Sequence, residues 1–274
     1  MSNGASHAGQ DEHGPYRLEE SAPAAPRLPG NAIVAKDIEE LHYALGLDLM
    51  AHAGNCVRAF GDFHLALSGG STPLPFYQRL MIDPAFREFP WKRTHLWLVD
   101  ERRVHPQDER CNWLHISELL VEHSDIPRSQ AHPMAQLDDG ADVRYENEIK
   151  EALAWREKGH DRLDFVLLGM GGDGHTASLF PGSPALSERQ RLVVINAGPT
   201  VTPPDRVTMT YPLLNGARFI ATLVTGAGKR EALARVAAGD EQPRTLPIAG
   251  IRPVGGALRW YLDREACPEQ DAPR

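Results

Sequence analysis

The chain of 274 residues is poor in cysteine, with Cys56, Cys111 and Cys267 far apart and odd in number. They show no zinc-type spacing, so free thiols in a reducing cytoplasm are expected. No apolar run reaches the roughly 18–20 residues that span a bilayer. The amino terminus shows no basic-then-apolar signal pattern, so no membrane partner is expected. An excess of positive charge is also missing. Against 37 acidic residues stand 29 Lys and Arg, a net charge of −8, which argues against a nucleic-acid partner. An anionic metabolite can bind only at a local cluster of positive groups.

What is present is a 42% hydrophobic share, enough for a substantial core in one large α/β domain or two small ones. Residues 1–29 are rich in Gly, Ala, Pro, Ser and charge, ending in SAPAAPRLPG. They read as a disordered tail, and 268–274 as a second one. Between them, over 30–267, short apolar runs alternate with amphipathic stretches. Strands are expected at Asn31–Ala35, His64–Ser68, Thr94–Val99, Phe165–Leu168, Leu192–Ile195, Phe219–Val224 and Leu258–Leu262. Helices are expected after Asp37, after Pro73, over Asn112–Glu122, Ala141–Glu157 and Lys229–Ala238. This alternation with continuous apolar strands predicts an α/β fold, a mostly parallel sheet with helices on both faces. Ligands of such sheets sit beyond the carboxyl ends of the strands.

One stretch, DFVLLGMGGDGHTASLFP at 164–181, spells G-x-G-x-x-G with Gly169, Gly171 and Gly174. A dinucleotide site needs a long helix after the last glycine, and Phe180-Pro181-Gly182-Ser183-Pro184 stops one early. It also needs an acid after the next strand, where Asn196-Ala197-Gly198 stands instead. Asp173 inside the turn would repel a pyrophosphate. The stretch is better read as a glycine turn presenting Asp173 and His175. Histidine is the natural base near neutral pH, and an aspartate two residues away can orient its imidazole. The bland alternative is a loop histidine beside a capping aspartate.

Three other turns suit an anion. Ser68-Gly69-Gly70-Ser71-Thr72 follows a strand and opens a helix, where free N–H groups and the helix dipole converge. Asp100-Glu101-Arg102-Arg103 offers an Arg fork held by a neighbouring carboxylate, or simply a solvated turn. Thr225-Gly226-Ala227-Gly228-Lys229 supplies a point charge for a phosphate. Arg206 and Arg252 are further candidates, with surface salt bridges as their alternative.

Taken together, LALSGGSTP, WLVDER, the CN of ERCNW, LLGMGGDGHTASLFPGS, RVTMTYPLLN, TGAGK and IRPVGGALRWYLD resemble the 6-phosphogluconolactonase family over about 31–266. The resemblance implies a single Rossmann-like domain and hydrolysis of 6-phospho-D-glucono-1,5-lactone to 6-phospho-D-gluconate in the oxidative pentose phosphate pathway. It implies no cofactor and no metal, and a phosphorylated sugar lactone as the small-molecule partner; separately, a monomer is expected. Related glucosamine-6-phosphate deaminases carry a DEY-like motif where this chain has Asp100-Glu101-Arg102, and a Glu where it has Phe180. A deaminase/isomerase and a non-catalytic sugar-phosphate sensor are the alternatives. In the lactonase reading, His175 is the base, Asp173 orients it, and Arg102, positioned by Asp100, stabilises developing negative charge. Ser68, Gly69, Gly70, Ser71, Thr72, Lys229 and Arg206 hold the substrate, while Ser178 has no assigned part.

Overall fold

The computed structural model describes residues 25–199 and 201–268. Most of both expected tails, 1–29 and 268–274, lies outside the described residues.

The first strand, β1 (Asn31–Val34), leads into α1 (Ile38–Phe60), whose start is set by Asp37. The Asp37 carboxylate accepts from the Glu40 N–H at 2.8 Å, satisfying one of the donors a helix start leaves free. Leu41, Leu45, Leu49, Ala53 and Cys56 then form one buried stripe along the helix. Next come β2 (Phe63–Leu67), α2 (Leu74–Ile82), β3 (Thr94–Leu98), β4 (Asp100–Arg102), α3 (Asn112–Ile116), β5 (Ala131–His132) and α4 (Ala141–Leu153). The chain continues through β6 (Phe165–Gly169), β7 (Val193–Ala197), β8 (Asp205–Met209) and α5 (Tyr211–Gly216). It ends with β9 (Phe219–Val224), α6 (Arg230–Ala238) and β10 (Ala257–Leu262).

Seven strands form one sheet in the order β1-β10-β9-β6-β2-β3-β5, and every pairing in it is parallel. All five residues of β2 and all six of β9 are buried, as strands covered on both faces must be. From β2 the chain winds outward through β3 and β5, then from β6 it winds the other way through β9 and β10. The reversal lies between β2 and β6, and a crevice opens beyond their carboxyl ends.

The stretch 192–195, expected as a strand of this sheet, belongs elsewhere. β4, β8 and β7 form a separate antiparallel sheet. Ile195 is exposed where the sheet strands are continuously buried, which is the alternation of a strand with one open face. The helix expected over 112–122 is α3 followed by a π-helical turn at Ser117–Val121, and that over 141–157 stops at Leu153.

Candidate active site

The crevice between β2 and β6 holds a cavity of about 380 Å³. Its walls come from the loops after β2, β6, β7 and β9, together with β4, β8 and the start of α3.

The loop after β6 carries His175. Its Nδ1 donates to Asp173 Oδ1 at 2.6 Å, and the same oxygen accepts the His175 backbone N–H at 3.0 Å. A carboxylate only accepts, so the proton of the neutral ring sits on Nδ1 and Nε2 keeps its lone pair. This hydrogen bond, ahead of the opposing effect of burial, draws the Asp173 pKa down to about 2. Asp173 therefore stays ionised at neutral pH. Gly171 lies under the pair, where a Cβ would come within 2.2 Å of His175 Nδ1 and 2.6 Å of Asp173 Oδ1. Only glycine leaves room there. Phe180 packs on the imidazole with ring centroids 5.1 Å apart.

The chain after His175 is pinned tightly. Ala177 has φ 47°, a left-handed conformation rare outside glycine. On either side, Thr176 Oγ1 donates to the Gly169 carbonyl at 2.8 Å, and the Ser178 N–H donates to Thr208 Oγ1 at 3.1 Å. Asn196 Nδ2 donates to the Ser178 carbonyl at 2.8 Å. Ser178 Oγ is thereby brought to Asp100 Oδ2, at 2.6 Å.

β4 and β8 pair with Asp100 opposite Thr208 and Arg102 opposite Arg206. Alternation in a strand puts all four side chains on one face. Contrary to expectation, no hydrogen bond joins Asp100 to Arg102 among the described residues; Asp100 Oδ2 accepts the Ser178 hydroxyl. Arg102 Nη1 instead donates to the Arg110 carbonyl at 2.7 Å. Arg206 is 5% exposed and its Nη1 has no hydrogen-bond partner among the described residues. Burial lowers its pKa, with the Asp100 charge acting in the opposite sense.

On the other wall, the N–H groups of Gly69, Gly70, Ser71 and Thr72 have no intramolecular acceptor among the described residues. They precede α2, and their residues line the cavity. The Ser68 hydroxyl is occupied, donating to the Leu167 carbonyl at 2.9 Å, so it offers substrate only its lone pairs. Lys229 lines the same cavity from the turn before α6.

Asp100, Arg102, His175, Arg206, Lys229 and the 68–72 loop thus converge on one space, with Asp173 behind the histidine. Arg252 does not join them; it bonds to Asn215 and Ala249 away from the cavity. Sequence reasoning missed Ser178 and Asn112. Asn112 lines the cavity, donates to the Asp100 carbonyl at 2.9 Å and leaves its buried Oδ1 without a partner. Its Oδ1 would lie 1.9 Å from a Cβ on Gly69, which explains that glycine. Glu101, buried within the same motif, accepts the N–H groups of Arg102, Asn112 and Trp113 at 2.7, 2.8 and 2.8 Å. It caps α3 and faces no ligand. Cys111 donates weakly to it at 3.4 Å.

A family described as glucosamine-6-phosphate isomerases/6-phosphogluconolactonase matches residues 36–260. The chain is 43% identical over 237 residues to the GDH/6PGL endoplasmic bifunctional protein of Homo sapiens, which is 83% of this chain. It spans only 29% of the length of that protein. Against the 6-phosphogluconolactonase of Nostoc sp., identity is 37% over 230 residues, 82% of this chain and 92% of the relative. The solved structure of 6-phosphogluconolactonase from Trypanosoma cruzi matches with a TM-score of 0.76 and 27% identity, over 87% of this chain and 96% of that one.

Proposed function

Since the chain belongs to the family of glucosamine-6-phosphate isomerases and 6-phosphogluconolactonases, we propose that it is a lactonase. It hydrolyses 6-phospho-D-glucono-1,5-lactone to 6-phospho-D-gluconate, a step of the oxidative pentose phosphate pathway. The observation that carries the choice within the family is the surroundings of His175. Its free Nε2 belongs to a cavity with three cationic side chains, and Phe180 packs on its ring where a deaminase carries a Glu. Moving protons between sugar carbons needs that extra acid; opening a lactone needs only a base, an oxyanion partner and a grip on the phosphate.

In this mechanism His175 Nε2 takes a proton from water as the water oxygen attacks the lactone carbonyl carbon. Asp173 holds the tautomer and stabilises the imidazolium that forms. Arg102, anchored by the Arg110 carbonyl, faces the developing oxyanion. When the tetrahedral intermediate collapses, the bond from carbonyl carbon to ring oxygen breaks. The imidazolium proton passes to that oxygen, which leaves as a hydroxyl. Lys229, Arg206 and the free N–H groups of 69–72 hold the 6-phosphate. A δ-lactone is a reactive ester, so no covalent nucleophile is required.

The reading includes a monomer in the cytoplasm. Its mass in solution tests the first. For the second, the three cysteines are all buried and free, and burial pushes the Cys56 and Cys111 thiols up to about 12 and about 11. No helix of the described residues is long and apolar enough to cross a membrane.

The deciding experiment generates the lactone with glucose-6-phosphate dehydrogenase and follows its disappearance. Decay no faster with the protein than without it would reject the lactonase. Ammonia release from glucosamine-6-phosphate would point to the deaminase instead.

A further inference from the structure

Arg206 poses a problem that the reaction alone does not answer. It is a buried cation with an unpartnered Nη1, and the carboxylate of Asp100 lies within reach. On the paired strands Asp100 faces Thr208, two residues beyond Arg206 and on the same side of the hairpin. Diagonal neighbours of this kind stand about 7–8 Å apart, well within the span of an arginine and an aspartate. A buried guanidinium beside a carboxylate ordinarily closes an ion pair. Here it does not. Asp100 Oδ2 takes the Ser178 hydroxyl at 2.6 Å instead, and among the described residues no hydrogen bond reaches Asp100 Oδ1.

We propose that Ser178 is a positioning residue that holds Asp100 off Arg206 and so keeps the arginine free for an oxyanion or phosphate oxygen of the substrate. The turn that carries Ser178 is built for this. Its left-handed Ala177 and the bonds to Gly169, Thr208 and Asn196 fix the hydroxyl in place. Thr208 belongs to the same strand as Arg206, so the clamp and the arginine move as one unit. Without the hydroxyl, the carboxylate turns to the guanidinium, neutralises it and competes with substrate for it. Oδ1, left free by the clamp, remains an acceptor for a sugar hydroxyl in the cavity that Asp100 lines.

This proposal rests on the lactonase reading for its substrate, but its test does not. Inorganic phosphate is titrated into the full chain by calorimetry for wild type, S178A, D100N and the double variant, with KM and kcat measured alongside on the lactone. S178A should weaken phosphate binding about tenfold, the loss of one charge-assisted hydrogen bond. KM should rise by a similar factor, with kcat much less affected. In the D100N background S178A should change nothing further, because an amide cannot neutralise the guanidinium. D100N alone should bind phosphate at least as tightly as wild type. If S178A does not fold, S178C, nearly isosteric but a weaker donor, carries the same expectation at smaller size. Unchanged phosphate affinity in S178A, or an equal loss with and without Asp100, overturns the proposal. A wild type that binds phosphate but leaves the lactone untouched would reject the lactonase and leave the Ser178 test standing.

Discussion

Histidine–carboxylate pairs occur at both ends of the central sheet, and they are put to different use. At the carboxyl end, His175 and Asp173 are 30% and 40% exposed, with Arg206 and Lys229 lining the cavity that His175 faces. At the amino end, His64 on β2, His95 on β3 and His132 on β5 form a row. His64 stacks on His95 with centroids 4.5 Å apart, and His132 lies on Trp97 at 3.6 Å. The row runs from Asp62 (3.2 Å from His64 Nε2) through the His95–His132 contact at 3.0 Å to Glu148, 2.6 Å from His132 Nδ1. Beside it, Arg156 joins Asp62 to Asp164, and Arg218 bonds Asp164 at 3.0 Å.

The difference lies in which lone pairs remain. Trp97 Nε1 donates to His64 Nδ1 at 3.1 Å. An indole N–H can only donate, so neutral His64 must carry its proton on Nε2 and give it to Asp62. It has no lone pair left for a substrate or a metal. Donor atoms of Asp62, His64 and His95 do lie within 4.8 Å of one another, but Trp97 and Arg156 have already engaged two of the three. A histidine next to an aspartate becomes a base only where its far nitrogen is left free and faces open space.

The strongest test of that contrast exchanges the two histidines for alanine. H175A should lower kcat by roughly 10²–10⁴-fold while the protein stays folded. H64A should keep kcat and lose stability instead, read by thermal melting. Full lactonase activity in folded H175A would remove His175 as the base and the contrast with it.

Next in size is the ion-pair network at the amino end. Arg156 is buried between two carboxylates, and R156A leaves Asp164, itself fully buried, with Arg218 as its one cationic partner among the described residues beside the His64 N–H. Breaking such a network costs about 3–5 kcal/mol, measurable as a lowered urea midpoint. Activity per folded molecule should not change. A loss of activity without a loss of stability would show that the two ends are coupled.

The two ends also differed in how far the sequence revealed them. The cavity at the carboxyl end was readable because most of its lining residues sit in short contiguous motifs that follow apolar strands. Six of the seven strands of the parallel sheet follow from the same periodicity, and Ala131–His132 is too short to show it. The antiparallel sheet was not readable: Asp100–Arg102 and Asp205–Met209 are short, charged and pair only through distant contacts. Missing that pairing hid why Arg206 faces the cavity, and it made Asp100 look like the partner of Arg102 instead of Ser178. The histidine row escaped notice because His64, His95 and His132 are 31 and 37 residues apart in sequence and meet only through strand register.

Within the catalytic end, Lys229 should divide from His175. No hydrogen bond or ion pair engages its ammonium among the described residues, and it lines the cavity wall. K229A should raise KM for the lactone by about tenfold, as for a lost contact to a charged group, and leave kcat within a small factor. A pure kcat defect with unchanged KM would move Lys229 from the phosphate to the reacting atoms.

The smallest expected effect is the pH signature of the histidine row. Burial first, then the neighbouring charges of His64 and His132, push the His95 pKa from its ordinary 6.5 down to about 4. Burial also lowers that of His64. Between those two values the unfolded chain takes up protons that the folded row refuses. Stability must therefore fall as pH drops from 6.5 towards 4 and stay level above that window. Asp173 works in the opposite range. Its pKa, depressed to about 2, adds stability that is fully present above its ordinary 3.8 and is lost only as pH falls below that. The window from 6.5 to 4 thus separates the amino end from Asp173. Melting temperatures of wild type and H95Q at pH 7.5 and pH 5 give the comparison. The drop on acidification should be smaller in H95Q by about 2–4 °C, the size expected for ~1 kcal/mol in a domain of this length. An equal drop in both would mean that His95 takes up its proton as readily in the folded protein as in the unfolded chain, and that burial in the row does not hold the imidazole neutral.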